Sequence, residues 1–327
     1  MNRITQWGLT LLCCMVSCLM YGQDTLSGIV TDSLSGESMP FTTVYVNGST
    51  KGTVTDNDGR FELNGLQYPS TVVFSFVGYR TQVVGLERNP GILKIKMQTN
   101  DSLPEVVITE YSEREKYLEY FKSMFLGDDR WGRRANIRNQ DAILFSRYRT
   151  DDNGTVFKAW AGEPIIIDMP LLGYELYADL VDFTVQSNGG KSICDILGYF
   201  FYKPYTDIGK NRAKRIESNR ASAYYNSNRH FLKSFHENQL AQNGYILMAD
   251  PGTSDKTLKI RYYHKLDGSP LDLTKIKPGL HMYSESGIHL LKDTCTILEG
   301  GTITDSSVRF TGQISNKRIG ASLPDDY

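Results

Sequence analysis

Gly52-Thr53-Val54-Thr55-Asp56-Asn57-Asp58-Gly59-Arg60-Phe61 sets two β-type runs on either side of an Asp-Asn-Asp-Gly turn. Glycine supplies the positive φ that such a tight connection needs, and the aspartates accept from nearby backbone amides. The same residues invite a calcium site. A calcium loop starting at Asp56 needs Gly at its sixth position and Glu at its twelfth, where this chain has Phe61 and Gln67. A hairpin accounts for the segment better. Strand signals recur on both sides of it: residues 27–31, 41–46 with Asn47-Gly48 behind, 52–55, 60–63, 71–76, 81–84 beyond Gly78-Tyr79, and 93–97. Seven short strands between residues 25 and 99 predict an all-β sandwich.

Four motifs stand in order along this stretch: Gly28-Ile29-Val30-Thr31-Asp32, Pro40-Phe41-Thr42-Thr43-Val44-Tyr45-Val46, the segment from Gly52 to Phe61, and Phe74-Ser75-Phe76-Val77-Gly78-Tyr79. Together they resemble the carboxypeptidase-like regulatory domain, a transthyretin-like sandwich, over about a quarter of the chain. The resemblance implies a folding and interaction module, commonly found at the N-terminus of envelope proteins that include TonB-dependent receptors. It does not imply peptidase activity. The resemblance to those receptors extends past a polar linker with Pro104 to a similar segment, Glu105-Val106-Val107-Ile108-Thr109. In them it leads to a plug and a large barrel. Here about 220 residues follow, with too little strand repetition for such a barrel, so a complete transporter is not expected.

Residues 1–22 read as a signal peptide. Arg3 supplies the positive charge, and the uncharged, mostly apolar run from Leu11 to Met20 is too short to span a bilayer as a helix. Small Gly22 precedes Gln23, so cleavage is expected after Gly22. Met15-Val16-Ser17-Cys18 loosely resembles a lipobox, which leaves a lipid anchor on Cys18 as the alternative. Either way the protein is exported, to the periplasm, outer membrane or cell surface of a Gram-negative bacterium. Cys194 and Cys295 remain after cleavage, and an oxidising compartment lets a disulfide persist. Such a bridge would close a loop of about 100 residues and contribute up to about 4.7 kcal/mol in the chain-entropy picture. Two separate buried thiols are the alternative.

Beyond the linker the pattern changes. Ser112-Glu113-Arg114-Glu115 forms a capping box, and Tyr117, Leu118, Phe121, Met124 and Phe125 recur at helical spacing until Gly127. Residues 142–149 and 156–161 flank the Asp151-Asp152-Asn153-Gly154 turn as a hairpin. Further strands are expected at 165–167, 176–185, 197–202, 258–264, 289–291 and 308–314. Phe231, Leu232, Phe235 and Leu240 mark a second helix ending at Gly244. The predicted fold class is mostly β or α+β: a seven-stranded transthyretin-like sandwich followed by a larger α+β region with two notable helices. The expected parts are a signal peptide (1–22), the regulatory sandwich (24–99), a linker and strand (100–110) and an α+β domain (111–327). Phe125-Leu126-Gly127, Leu172-Gly173-Tyr174 and the run from Ala223 to Leu232 are similar to a region that follows the regulatory domain in a group of short secreted proteins. That resemblance implies no activity.

Chemistry is sparse. The formal net charge of −1 gives no general pull on nucleic acid. Five histidines are present, none in a His-Glu-x-x-His pair, and no Gly-x-Ser-x-Gly elbow occurs. Gly189-Gly190-Lys191-Ser192 lacks the upstream glycine of a phosphate loop and reads as a connection between strands. No catalytic residue, cofactor or metal site is assigned. Lys210, Arg212, Lys214, Arg215 and Arg220 form a basic cluster, diluted by Glu217, that suits lipid phosphate or an anionic glycan. A solvated loop face is its plainer account. Arg229-His230, at a helix start, reads as structural. The function expected is a non-catalytic envelope module that binds protein or glycan, with peripheral association to the outer membrane. A hydrolase with a site dispersed over residues 105–327 is the alternative.

Overall fold

The computed structural model describes residues 24–100, 111–249, 257–276, 281–297, 301, 303 and 308–327. The signal peptide, its cleavage point, Cys18 and the strand-like segment 105–109 lie outside the described residues. The chain divides into two compact units, one of residues 1–47 and 51–99 and one of 48–50 and 100–327.

All seven expected strands of the first unit form: β1 (Asp24–Asp32), β2 (Thr43–Val46), β3 (Gly52–Val54), β4 (Arg60–Leu66), β5 (Ser70–Ser75), β6 (Gln82–Leu86) and β7 (Ile92–Met97). They make two sheets, ordered β4-β1-β7 and β3-β2-β5-β6. β1 runs antiparallel to β4 and parallel to β7. Alternation along β4 turns Phe61 and Leu63 inward, where they join Leu26, Val30, Val44, Val72, Phe74 and Met97. Phe61 and Phe74 meet edge to face at 5.4 Å. The Asp-Asn-Asp-Gly segment is the connection expected of it. Asp56 Oδ1 accepts from the amides of Asp58 (2.9 Å) and Arg60 (2.8 Å), and Gly59 has φ +73°. A Cβ on Gly59 would stand 2.5 Å from the Val30 carbonyl oxygen.

The second unit has two sheets and three helices among its described residues, α1 (Tyr111–Leu126), α2 (Lys210–Tyr224) and α3 (Asn228–His236). Its first sheet uses β8 (Asn136–Ile137), β9 (Ile143–Arg149), β10 (Thr155–Ala161), β11 (Ile165–Met169), β12 (Tyr174–Asn188) and β13 (Lys191–Pro204). β12 organises it. The first part of β12 pairs with β11, the last part with β10, and β13 follows its other edge throughout. Gly189 and Gly190, both at positive φ, turn β12 into β13, so the segment that superficially resembled a phosphate loop is a hairpin tip. α1 lays Phe121 and Phe125 on this sheet against Phe145, Phe157 and Phe183. The second sheet, β14 (Tyr245–Ala249), β15 (Thr257–Tyr263), β16 (Tyr283–Leu290) and β17 (Val308–Gly312), is antiparallel throughout. Phe231 and Leu232 of α3 pack on its inner face with Tyr245, Ile260, Tyr262 and Ile288.

Two expectations are corrected. α2 is a third helix where a loop face was expected. It buries only Ile216 and Ala223, so it carries almost no apolar periodicity to read. Cys194 and Cys295 are separate thiols, not a disulfide. Cys194 lies on β13, with its Sγ 3.8 Å from the Met124 carbonyl of α1, and Cys295 follows β16.

The core of the first unit is closed by its own strands. Residues 24–99 expressed alone are therefore expected to melt in one cooperative transition. Gly59→Ala in that fragment should cost about 1–3 kcal/mol through left-handed strain and the clash at Val30. A broad, non-cooperative melt, or an unchanged midpoint in Gly59→Ala, contradicts this account.

Candidate functional site

The polar motif residues of the sandwich are engaged by their own chain. Asp32 Oδ1 accepts from the amides of Leu34 (2.8 Å) and Ser35 (2.7 Å), and Tyr79 donates its hydroxyl to Oδ2 at 2.9 Å. The Ser35 amide foremost, then Tyr79, holds the Asp32 carboxyl below the usual carboxylate range. Thr55 Oγ1 donates to the Met39 carbonyl at 2.6 Å and accepts from the Thr42 amide at 2.9 Å, both threonines being buried. These residues close turns and leave nothing aimed at a ligand.

In the second unit, His230 lies at a buried cluster of tyrosines. Ser227 caps α3 by accepting from the His230 amide at 3.1 Å, which seats the imidazole at the first turn. The ring is 4% exposed. It lies among Tyr224, Tyr225, Tyr245 and Tyr262, with ring centroids 4.9–6.0 Å away. Nδ1 accepts from the Asn226 amide at 3.2 Å and sits 2.8 Å from the Tyr245 hydroxyl. An amide can only donate, so this pairing assigns the neutral imidazole's proton to Nε2. Burial, reinforced by the nearby Lys317 charge, pushes His230 down to about 3.

Lys317 donates from Nζ to the carbonyls of Ser222 (3.1 Å), Ala223 (2.9 Å) and Tyr225, the unpaired acceptors at the end of α2. Burial lowers it to about 8, against the opposing pull of Asp129. Arg229 donates to the carbonyls of Pro324 (2.5 Å) and Asp325 (2.6 Å). Burial raises the Asp325 carboxyl to about 6, partly offset by Arg229. Arg220 of α2 lies 4.0 Å over the Tyr174 ring and donates Nε to the Leu172 carbonyl at 2.8 Å. Ile216 fills the space over Gly173, where a Cβ would come within 2.8 Å of it. The motifs Leu172-Gly173-Tyr174 and 223–232 are thus parts of one packing arrangement.

Strongly perturbed buried groups often mark active sites. Here His230 Nδ1 is engaged by the Asn226 amide and the Tyr245 hydroxyl, and Lys317 Nζ by three backbone carbonyls. Burial raises the Cys194 thiol to about 11, which leaves it protonated and unreactive at neutral pH. No cluster of three or more His, Cys, Asp or Glu able to hold a metal occurs among the described residues. Lys210, Arg212, Lys214 and Arg215 are all exposed on α2, and Arg212 lies 5.3 Å over the Tyr205 ring. Sequence inspection singled out His230 and Arg229 but missed Lys317 and Asp325. Their partners lie 92–96 residues away in the chain, so no local spacing reveals them.

Below pH 6.5 an unfolded chain protonates His230, whereas the fold resists protonation until about pH 3. His230 therefore contributes stability above pH 6.5 that is lost as the pH falls through this window, by up to about 1.4 kcal/mol per unit. Asp325 acts in the opposite sense between about 6 and 3.8, because the fold takes up its proton first. The native profile is accordingly shallower than the His230 contribution alone. His230→Gln removes only the first effect. Its stability deficit relative to the native chain should shrink by about 1.4 kcal/mol per pH unit from 6.5 to 4.5. A constant deficit in denaturant melts contradicts a buried neutral imidazole.

The CarboxypepD_reg-like domain family matches residues 26–108. TonB-dependent receptor P26 of Formosa agariphila is 36% identical over 91 residues, which cover 28% of this chain and 9% of the receptor. TonB-dependent receptor SusC of Bacteroides thetaiotaomicron is 37% identical over 94 residues, covering 29% of this chain and 9% of that protein. The chain thus spans about a tenth of the length of these relatives. A cohesin–X-dockerin complex from Acetivibrio cellulolyticus aligns with 32% of this chain and 75% of its own at 23% identity, with a TM-score of 0.21, too low to bear on the fold. The sequence match identifies residues 26–108 as a CarboxypepD_reg-like domain, and the described part of that stretch carries the seven strands of the first unit.

Proposed function

We propose that this chain is an exported, non-catalytic protein of the Gram-negative envelope, and that its second unit binds an envelope protein or glycan. One observation carries the proposal. His230, Lys317 and Asp325, whose charged forms burial disfavours, surround a packing centre in which His230 and Lys317 bond to tyrosine and backbone groups. A hydrolase needs such groups facing a cleft beside a nucleophile or an activated water. The similarity to TonB-dependent receptors supports an envelope setting. No helix among the described residues is long and apolar enough to cross a membrane. We assign outer-membrane association to a lipid on Cys18 or to a partner. Residues 24–99 act as the interaction module, 100–110 as the connection and 111–327 as the binding unit. The exposed basic residues Lys210, Arg212, Lys214 and Arg215 offer α2 as a secondary contact for phosphate or carboxylate groups.

The mature protein, purified from the envelope fraction, should start at or near Gln23 or carry lipid on Cys18. It should retain no stoichiometric zinc and hydrolyse no peptide, ester or glycoside substrate, with or without chelator. Stoichiometric zinc together with chelator-sensitive peptide trimming would replace the binding proposal with a hydrolytic one.

A further inference from the structure

α2 carries a charge arrangement that its surroundings leave unbalanced. From Ile208 to Ile216 the chain has four cations, Lys210, Arg212, Lys214 and Arg215, and no acid. All four are exposed, and none forms an ion pair among the described residues. Lys210 and Lys214 are four residues apart and Arg212 and Arg215 three apart, so like charges neighbour each other along the helix. The first turn holds no acidic residue, so the helix dipole adds to this repulsion instead of relieving it. Ile216 and Ala223 define the buried side. The opposite side turns out Lys210, Asn211, Lys214, Arg215 and Ser218, all exposed. Arg212 stands at the flank, 5.3 Å over the Tyr205 ring, whose hydroxyl donates to Asp168. Arg130, from the turn after α1, donates to Asn219 Oδ1 at 2.6 Å, one turn beyond Arg215, and brings a fifth exposed cation to the helix. The acids beside these cations in the chain, Asp128, Asp207 and Glu217, form no ion pair with them; Asp128 accepts from the Ser123 hydroxyl at 2.7 Å.

We infer that this side of α2 lies on the phosphate headgroups of an anionic phospholipid bilayer; the inference rests on the proposal that the second unit is a binding module of the envelope. Charge decides the sign of the partner, because an anion relieves the repulsion along the helix that no side chain of the unit relieves. Shape decides its class. The outward side of a helix is convex, and its outward positions here hold no aromatic or apolar side chain on which a sugar ring or an acyl chain could seat. Lysines and arginines on a convex surface meet a plane of phosphates together, whereas a single glycan chain needs donors that converge on it. Each Lys or Arg close to an acidic bilayer raises the partition about fivefold, so Lys210, Lys214 and Arg215 supply about a hundredfold. With no apolar residue to insert, the contact is superficial and reversed by salt.

The test is co-sedimentation of the full mature chain, starting at Gln23 and so without lipid, with vesicles of phosphatidylglycerol and phosphatidylcholine or of phosphatidylcholine alone. Binding to the acidic vesicles should be at least about tenfold tighter and should be lost at high salt. Lys210→Glu combined with Lys214→Glu should weaken it by at least about twentyfold. Lys94→Glu combined with Lys96→Glu, the same change of net charge at exposed positions of β7, should alter it by less than about twofold. Unchanged melting of the α2 variant separates binding from folding, and the milder Lys214→Gln should lose about fivefold. Equal binding to neutral vesicles, equal loss in the β7 variant, or unaltered binding in both α2 variants overturns the inference. Displacement from the vesicles by oligogalacturonate, at a carboxylate concentration equal to that of lipid phosphate, puts an acidic glycan in place of the bilayer and also overturns it. Any of these in a protein that still resides in the envelope and hydrolyses nothing leaves the proposed function standing. Hydrolysis of the phospholipid esters overturns both.

Discussion

A buried ammonium and a buried neutral imidazole hold the centre of the larger unit. Lys317 gathers the last carbonyls of α2, and His230 accepts from the amide just beyond them. A helix end with unpaired carbonyls cannot be buried without a donor. Lys317 is that donor, and its own desolvation is tolerated because three oxygens surround it. The next turn of chain then enters α3 with His230 at its first turn, which directs Phe231 and Leu232 onto the second sheet. The segment after β17 carries Lys317 and then continues past Ser322, which accepts from the Tyr202 hydroxyl at 2.8 Å, to Pro324 and Asp325 under Arg229. One strap of chain thereby ties α2, α3 and both sheets of the unit together.

The same arrangement makes a catalytic role for these groups chemically unattractive. A general base must reach a substrate proton. His230 is enclosed by four tyrosines and its Nδ1 is already engaged. Burial is the largest cause of the shift at each of these side chains. Lys210, Arg212, Lys214 and Arg215 of α2, by contrast, are exposed.

How far the amino-acid order revealed this depends on distance along the chain. The sandwich was readable because its determinants are local: alternation in β4, the Gly59 turn, and strands of a few residues each. The hydrogen bond between Asp32 and Tyr79 joins two of the motifs that marked the family resemblance. α2 escaped notice because a helix that buries only Ile216 and Ala223 leaves no apolar stripe. The cysteine pairing failed because an oxidising compartment permits a bridge without bringing Cys194 and Cys295 together. The centre at His230 was half visible. Its helix start and tyrosines stand in one run, but Lys317 and Asp325 come from far along the chain.

The central claim is that the perturbed groups of the larger unit are structural, with His230 neutral and sealed. Nitrogen NMR of the imidazole in the intact mature protein tests this most directly. The account predicts a ring protonated on Nε2 alone, with shifts unchanged from pH 8 to pH 5 while the protein stays folded. A His230 signal that titrates near 6.5, the ordinary value for an accessible histidine, would contradict it.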